Sequence, residues 1–343
     1  MKRSICVICG WLFVLQFCAL VAVAQEQRFA NLGNFKLENG GVIRNCRIGY
    51  RTFGTLNSDK SNVVVVPTWA GGTTEQLKSN FGPGRLIDST TYYVVAIDAL
   101  SNGVSSSPSN SRLQPRMRFP EFSLRDTVAT QHALLTRVLN IQHVKAVVGI
   151  SMGGMQTFQW LVSYPDFMEK AIPIVGSPRL APYDLMLWQA QIDALMRDRD
   201  WKGGNYSVNP ARALDFAFGE LLLTTPVDYN RRKTRDEVFA DLAKAQRDTH
   251  RFDANDKIRQ VQAMIKLDIP LQSAAKTVKA KVLVVVAKYD HVVTPGPATE
   301  FAKLLGAQLL VLDGDCGHLA TSCESRRLNE AVTQFLAADN TDN

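Results

Sequence analysis

Ser151 is the residue whose neighbours point most directly to chemistry. It lies at the centre of residues 149–153, which have the pattern Gly-x-Ser-x-Gly between a strand-like apolar run and a helix-like stretch. A serine at a sharp strand-to-helix turn has a strained backbone and an exposed hydroxyl, and the glycines keep neighbouring side chains away. The N–H of Met152, at the start of the helix, can donate to a developing oxyanion. The pattern predicts a nucleophile at Ser151.

A serine hydroxyl is a poor nucleophile until a base accepts its proton. In a strand-turn-helix site of this kind, an acid and then a histidine follow the serine along the chain, each after a later strand. His318 follows the last strand-like run and is the predicted base. The other four histidines precede Ser151, lie in a helical stretch or adjoin the candidate acid: His132, His143, His250 and His291.

Asp290 is the predicted acid, because it directly follows the apolar run 282–289. A carboxylate at this position can hold the imidazole in the required tautomer and stabilise its charged form. Asp313 and Asp315, in the loop that leads to His318, are alternatives by their closeness in sequence.

A second oxyanion donor is expected in the loop after the run 63–66, which reads Pro-Thr-Trp-Ala-Gly-Gly. Glycines let a backbone approach a ligand closely. The sequence favours the Trp69 N–H for this role, with the Thr68 N–H as the alternative.

Short apolar runs rich in β-branched residues alternate with helical stretches, and these elements must position the site. Continuous apolar strands indicate a parallel sheet that is covered by helices on both faces. The runs are 63–66, 92–97, 144–150, 171–175, 282–286 and 309–312, after a predicted hairpin of 35–38 and 47–52; the helical stretches are 123–139, 154–163, 297–305 and 324–337. The predicted fold class is α/β, with a mostly parallel central sheet flanked by helices.

The alternation stops between residues 183 and 277, where the pattern is helical without a comparable strand. We predict that this segment is a helical lid inserted into the fold, since such caps often cover a site. The predicted boundaries are 25–182 for the first part of the core, 183–277 for the lid and 278–343 for the second part of the core.

Residues 1–24 have the form of a secretory signal peptide. Two basic residues precede an apolar stretch that ends in Ala-Val-Ala, so cleavage is expected after Ala24. An uncleaved signal anchor is the alternative, because about 20 apolar residues can span a bilayer. Cleavage would give a secreted or periplasmic protein without a membrane segment.

The segment that follows the leader contains three cysteines, Cys46, Cys316 and Cys323. Export permits a disulfide, and a bridge between Cys316 and Cys323 would enclose His318. The sequence leaves this bridge and three free thiols as equal possibilities.

The composition narrows the function classes. With 46% hydrophobic and 21% charged residues, the chain fits a folded globular protein and not a disordered, fibrous or polytopic membrane protein. A net charge of +7 without a basic cluster gives no indication of nucleic acid. No paired His or Cys spacing suggests a metal, and no cofactor is expected. The expected partner is a small-molecule acyl substrate.

Several segments, in order along the chain, resemble the homoserine O-acetyltransferase family of α/β-hydrolase-fold proteins. They are residues 119–126, 149–156, 164–166, 201–206 and 251–255, and they span most of the chain after the leader. The resemblance implies a Ser151–Asp290–His318 triad, an acyl-enzyme intermediate and a helical lid that forms a tunnel to the serine. Members of this family are often dimers, so a homodimer is the corresponding expectation.

The sequence departs from that family at its homoserine-binding positions. The family's arginine, tyrosine and aspartate are replaced here by His250, Lys257 and Leu319. A leucine cannot pair with a substrate ammonium, so homoserine specificity is not expected. An exported enzyme would also meet little acyl-CoA. We therefore expect an exported serine hydrolase acting on a small ester or related acyl compound; the alternatives are an O-acyltransferase, an amide or thioester hydrolase, and an inactive ligand-binding protein.

Overall fold

A computed structural model describes residues 26–210, 223–247 and 252–338 of the chain. The predicted leader, residues 211–222 of the predicted lid, and His250 lie outside the described residues. Within the described ranges, no helix combines the length and the apolar character needed to cross a bilayer.

The described residues form one eight-stranded sheet in the order β1-β2-β4-β3-β5-β6-β7-β8. β2 pairs antiparallel with β1 and with β4, and the other neighbouring strands are parallel. The strands are β1 Arg28–Lys36, β2 Val42–Phe53, β3 Val63–Pro67, β4 Tyr93–Ile97, β5 Val144–Ile150, β6 Met168–Ile174, β7 Lys281–Ala287 and β8 Gln308–Leu312. The predicted α/β class with a mostly parallel sheet is confirmed.

Alternate residues of the central strands face two separate apolar clusters. In β3, Val63 and Val65 belong to the cluster that includes Trp160, whereas Val64 and Val66 belong to the cluster that includes Phe335. Burial on both faces explains why the sequence shows continuous apolar runs instead of an alternating pattern.

Helices cover the sheet, and α2 begins at a capping box formed by Ser123 and Asp126. A π-helical turn at Leu134–Val138 continues α2. The helices are α1 Thr74–Leu77, α2 Leu124–Ala133, α3 Met152–Ser163, α4 Pro182–Arg197, α5 Pro226–Arg232, α6 Arg235–Arg247, α7 Ala254–Ile265, α8 Leu271–Ala275, α9 Gly296–Leu305, α10 Ala320–Cys323 and α11 Ser325–Ala337. Short 3₁₀ turns lie at Lys78–Asn80, Arg116–Arg118, Lys202–Gly204 and Gly317–Leu319.

The described parts of the predicted lid contain helices α4 to α8 and no named strand. A third apolar cluster joins α4 to α7 through Ile192, Leu195, Ile258 and Val261, and Trp201 completes it. The domain boundaries and the function of this segment as a lid stay predictions.

Candidate active site

Ser151 lies at the turn between β5 and α3 with φ 59° and ψ −122°, a conformation that non-glycine residues rarely adopt. The adjacent glycines are sterically required. A Cβ at Gly149 would lie 2.1 Å from the Gly153 carbonyl oxygen, and a Cβ at Gly153 would lie 2.7 Å from the Pro67 carbonyl oxygen. The turn therefore closes only with glycine at both positions, and it presents the serine at the end of the strand.

The structure brings the predicted serine, histidine and aspartate into one hydrogen-bonded line. His318 Nε2 lies 2.9 Å from Ser151 Oγ, and His318 Nδ1 lies 2.6 Å from Asp290 Oδ2. The other oxygen of Asp290 accepts hydrogen bonds from the Val292 and Val293 amides at 2.9 and 3.0 Å. Since the carboxylate accepts a hydrogen bond from the Nδ1–H group, the Nε2 atom is left to accept the serine proton.

The alternative acids are engaged elsewhere. Asp313 is exposed and pairs with Arg327 at 2.8 Å, and Asp315 forms a two-contact ion pair with Arg231 at 2.7 and 2.9 Å. Among the three candidate carboxylates, Asp290 is the one that contacts the imidazole of His318.

A disulfide and a set of polar contacts hold the loop that carries His318. Cys316 and Cys323 form a disulfide, which resolves the pairing that the sequence left open. Thr225, which caps the N-terminus of α5, donates its hydroxyl to the Asp315 carbonyl oxygen, and Arg231 of the same helix pairs with the Asp315 carboxylate. The helical segment is thus joined directly to the histidine loop.

The structure separates the two candidates for the second oxyanion donor. The Thr68 N–H donates to the Ile97 carbonyl at 3.1 Å and is therefore occupied. Trp69 lines the cavity in front of Ser151. Met152 opens α3, where N–H groups have no acceptor within the helix. The oxyanion roles of Met152 and Trp69 stay predictions.

Ser151 and His318 open into a cavity of about 1450 Å³ between the strand ends and the helical segment. Trp188, Val261 and Val292 contribute apolar surface to it. Lys257 and Leu319, two of the positions at which the sequence departs from the acetyltransferases, also line the cavity. These two positions therefore lie where they can contact a substrate.

Asp256 is a cavity residue that sequence reasoning missed. It is 1% exposed, and its two oxygens accept hydrogen bonds from the Ser109 amide at 2.9 Å and the Ser109 hydroxyl at 2.5 Å. Burial, assisted by the nearby charge of Asp253, raises the pKa of Asp256 to about 8. Its position in the third residue of α7 gives no sequence signal, because acids are common in the first turn of a helix.

A family model described as the alpha/beta hydrolase fold matches residues 62–321. The chain belongs to the α/β-hydrolase fold family. The matched residues include Ser151, Asp290 and His318.

The relatives of this α/β-hydrolase comprise esterases and acetyltransferases. Ethyl acetate hydrolase of Pseudomonas veronii is 36% identical over 187 residues, which cover 53% of each chain. Homoserine O-acetyltransferase of Chlorobaculum tepidum is 30% identical over 343 residues, covering 92% of this chain and 96% of the relative. The structure of the acetyl esterase MekB has a TM-score of 0.84 at 26% identity and covers 91% of this chain and 97% of that chain.

The matched region spans about half the length of the curated esterases. Together with the fold, these similarities show that the chain is an α/β-hydrolase-fold protein whose relatives form two groups, esterases and acetyltransferases. The resemblance stated from the sequence motifs is confirmed.

In the described part of this hydrolase, one group of residues has the spacing of metal ligands: Asp228, Asp315 and Cys316. The Cys316 sulfur is bonded to Cys323, and Arg231 pairs with both carboxylates. A disulfide sulfur and two arginine-paired carboxylates do not fit a metal ion.

Proposed function

We propose that this α/β-hydrolase cleaves a small ester through a Ser151–His318–Asp290 triad and an acyl-enzyme intermediate. One observation carries the proposal: the continuous hydrogen-bonded line from Asp290 through His318 to Ser151, which ends in the cavity. A serine activated in this way attacks an acyl carbonyl at neutral pH.

The geometry supports a two-stage reaction. Ser151 Oγ bonds to the ester carbonyl carbon while His318 Nε2 accepts the serine proton, and the Met152 and Trp69 amides stabilise the oxyanion. The bond to the leaving alcohol then breaks, and His318 returns the proton to the alcohol oxygen. In the second stage, a water molecule attacks the acyl-enzyme and gives its proton to His318, which passes it to Ser151 as the carboxylic acid leaves.

Acetyl and other short acyl groups are the proposed substrate class. The support comes from the two acetate-cleaving relatives, whose names specify ethyl acetate and acetyl esters. Hydrolysis is favoured over transfer to homoserine because Leu319 offers an apolar side chain where the acetyltransferases carry an aspartate. A binding protein without activity would have no need for the aligned triad.

Acyl transfer to an alcohol is the second candidate. It is supported by the acetyltransferase relative, which matches nearly the whole chain. A further variant of the first candidate is cleavage of an amide or a thioester by the same triad. The substrate panel below distinguishes these reactions.

The experiment measures hydrolysis of p-nitrophenyl esters of increasing acyl length by the wild type and by Ser151→Ala. Acetyl-CoA with homoserine or a simple alcohol, an anilide and a thioester complete the panel. We expect fastest turnover of the short esters, loss of at least a thousandfold in Ser151→Ala, and fluorophosphonate labelling at Ser151 only. Equal rates in both proteins would overturn the triad assignment, and preferential use of acetyl-CoA would favour acyl transfer.

Export is part of the proposal. The leader pattern at residues 1–24 supports it, and so does the disulfide, which persists in oxidising compartments. Expression of the full chain in a Gram-negative host, followed by mass measurement of the periplasmic product, tests it. Cleavage after Ala24 is expected, and retention of the intact leader in a membrane fraction would favour an anchor. Size-exclusion chromatography with light scattering of the same product tests the expected homodimer.

A further inference from the structure

The peptide group between Thr68 and Trp69 has a polar contact on its carbonyl side. Gln156 Nε2 donates to the Thr68 carbonyl oxygen at 3.0 Å and to the Met152 carbonyl oxygen at 3.1 Å. A trans peptide is planar, and its C=O and N–H point in opposite directions. Holding the Thr68 carbonyl therefore also fixes the direction of the Trp69 N–H.

Gln156 is itself held by a chain of buried polar groups. The Trp160 indole Nε1 donates to Gln131 Oε1 at 2.9 Å, and Gln131 Nε2 donates to Gln156 Oε1 at 2.6 Å. All three side chains are completely buried. Water therefore offers these amides no alternative partners.

The direction of donation along this series of hydrogen bonds is set at the Trp160 end. An indole N–H can only donate, so Gln131 must turn its oxygen to Trp160 and its nitrogen to Gln156. Gln156 must then turn its oxygen to Gln131, which leaves its nitrogen facing Thr68. Each amide orientation follows from the preceding one, and a flipped amide would place two acceptors or two donors in contact.

We propose that Gln156 is a positioning residue for the oxyanion hole, and that Gln131 and Trp160 orient it. By holding the Thr68 carbonyl, Gln156 directs the Trp69 N–H toward the oxyanion above Ser151. Its second bond, to the Met152 carbonyl, links the residues of both oxyanion donors. This inference rests on the proposed function, because it assigns a role in the same acyl transfer to Ser151.

Two isosteric variants test the direction of the chain. Because burial raises the pKa of a carboxyl, both Glu variants are assayed at high pH, where the new carboxyl is ionised. In Gln156→Glu, the ionised carboxylate places an acceptor against the Thr68 carbonyl. In Gln131→Glu, one oxygen accepts from Trp160 and the other faces Gln156, whose amide must then flip and turn its oxygen toward Thr68. The side-chain hydrogen bonds of Gln131 are to Trp160 and Gln156 and not to the loop of residues 67–72, so a structural role for Gln156 alone does not predict this remote effect.

The matched control is Gln159→Glu. Gln159 is a buried glutamine of the same helix α3, and it donates to Ser163 instead of the loop. Each protein is checked for folding by circular dichroism, and active sites are counted by complete fluorophosphonate labelling. The measured quantities are kcat and KM on p-nitrophenyl acetate and the inhibition constant of a trifluoromethyl ketone, which binds as an oxyanion.

At high pH, we expect kcat of Gln156→Glu and of Gln156→Met to fall about 100-fold per active site, as for loss of an oxyanion donor, with KM changed less than threefold. Trifluoromethyl ketone affinity should fall by a similar factor. Gln131→Glu should lose about tenfold, and Gln159→Glu less than twofold. Lowering the pH should raise the ratio of Glu-variant kcat to wild-type kcat toward one, because a protonated carboxyl can again donate a hydrogen bond.

The positioning role would be overturned by a kcat within threefold of wild type in folded Gln156→Met. It would also be overturned if Gln159→Glu lost as much kcat as the Gln156 variants. A third contrary result is that neither Gln156→Glu nor Gln131→Glu recovers activity as the pH is lowered. If Gln156 variants do not fold, the Gln131→Glu result decides alone. Hydrolysis that survives in Ser151→Ala would instead overturn the proposed function.

Discussion

The Asp290 carboxylate contacts His318 Nδ1 with one oxygen and two backbone amides with the other. The imidazole contact is 2.6 Å, and the amides of Val292 and Val293 fix the carboxylate from the opposite side. Because these amides are donors, the side-chain atom that faces them must be an acceptor, as a carboxylate oxygen is. The other carboxylate oxygen is also an acceptor, so the contact with Asp290 holds the His318 proton on Nδ1. Nε2 is then able to accept the proton of Ser151.

Asp290→Asn should keep the shape of this site and reverse its chemistry. The asparagine oxygen would stay on the two backbone amides, so its NH₂ group would face His318 Nδ1. The imidazole would then carry its proton on Nε2, where it cannot accept from Ser151. We expect kcat to fall by about 10⁴-fold, the loss typical of a triad in the wrong tautomer. Steady-state kinetics on p-nitrophenyl acetate measure it.

Asp313→Asn is the matched control, because Asp313 was an alternative acid and pairs with Arg327 on the surface. It should keep kcat within twofold. A greater loss in Asp313→Asn than in Asp290→Asn would contradict the assignment of the acid.

The sheet could be predicted from the sequence because its central strands are buried on both faces and appear as unbroken apolar runs. The first strand was only partly predicted. β1 begins at Arg28 instead of residue 35, and its register shifts between Asn31 and Phe35 break the period-two alternation. Gly33, at φ 69°, lies within this irregularity.

The grouping of Ser151, Asp290 and His318 could be predicted because each follows a strand in a fixed order. Asp256 could not, since burial by distant segments leaves no local pattern. The same holds for Gln131 and Gln156, which are 25 residues apart in sequence and meet only through the packing of α2 on α3. The Cys316–Cys323 disulfide could not be predicted, because spacing alone does not distinguish a bridge from two buried thiols.

Opening the Cys316–Cys323 bridge should slow catalysis, because His318 lies between the two cysteines. The bridge closes a short loop, and its loss is expected to cost about 2–3 kcal/mol of stability. We expect kcat to fall about three- to tenfold after treatment with a phosphine reductant, with recovery on reoxidation. A thiol count under denaturing conditions, which should rise by two, verifies the reduction.

The Cys316→Ala/Cys323→Ala double variant is the control for nonspecific effects of the reductant. It should show the lowered kcat from the start and no further response. Unchanged kcat in fully reduced wild type would show that the ion pair of Arg231 with Asp315 suffices to hold the loop.

Lys170→Met should destabilise the fold without changing kcat. The buried Lys170 ammonium donates to the carbonyl oxygens of Phe335, Leu336 and Ala338 at the end of α11. Methionine fills a similar volume but leaves these carbonyls without that donor, so the free energy of unfolding should fall by about 2–3 kcal/mol. Urea denaturation measures it. Lys279→Met, which removes a highly exposed pair with Asp166, should change it by less than about 1 kcal/mol.

Asp256→Asn should change how stability depends on pH. The folded-state pKa of about 8 exceeds the ordinary value of 3.8, so between these values the folded protein holds a proton that the unfolded chain has lost. Stability from this group is complete below about pH 4 and is lost as pH rises toward 8, with a slope approaching about 1.4 kcal/mol per pH unit.

Asparagine can still accept from the Ser109 amide and donate to its hydroxyl, but it does not titrate. The unfolding free energy of the variant, measured by urea denaturation from pH 4 to 9, should therefore decline less steeply than that of wild type. Parallel curves for the two proteins would contradict a proton held by Asp256, and a crossing, with the variant more stable at pH 9, is the expected result.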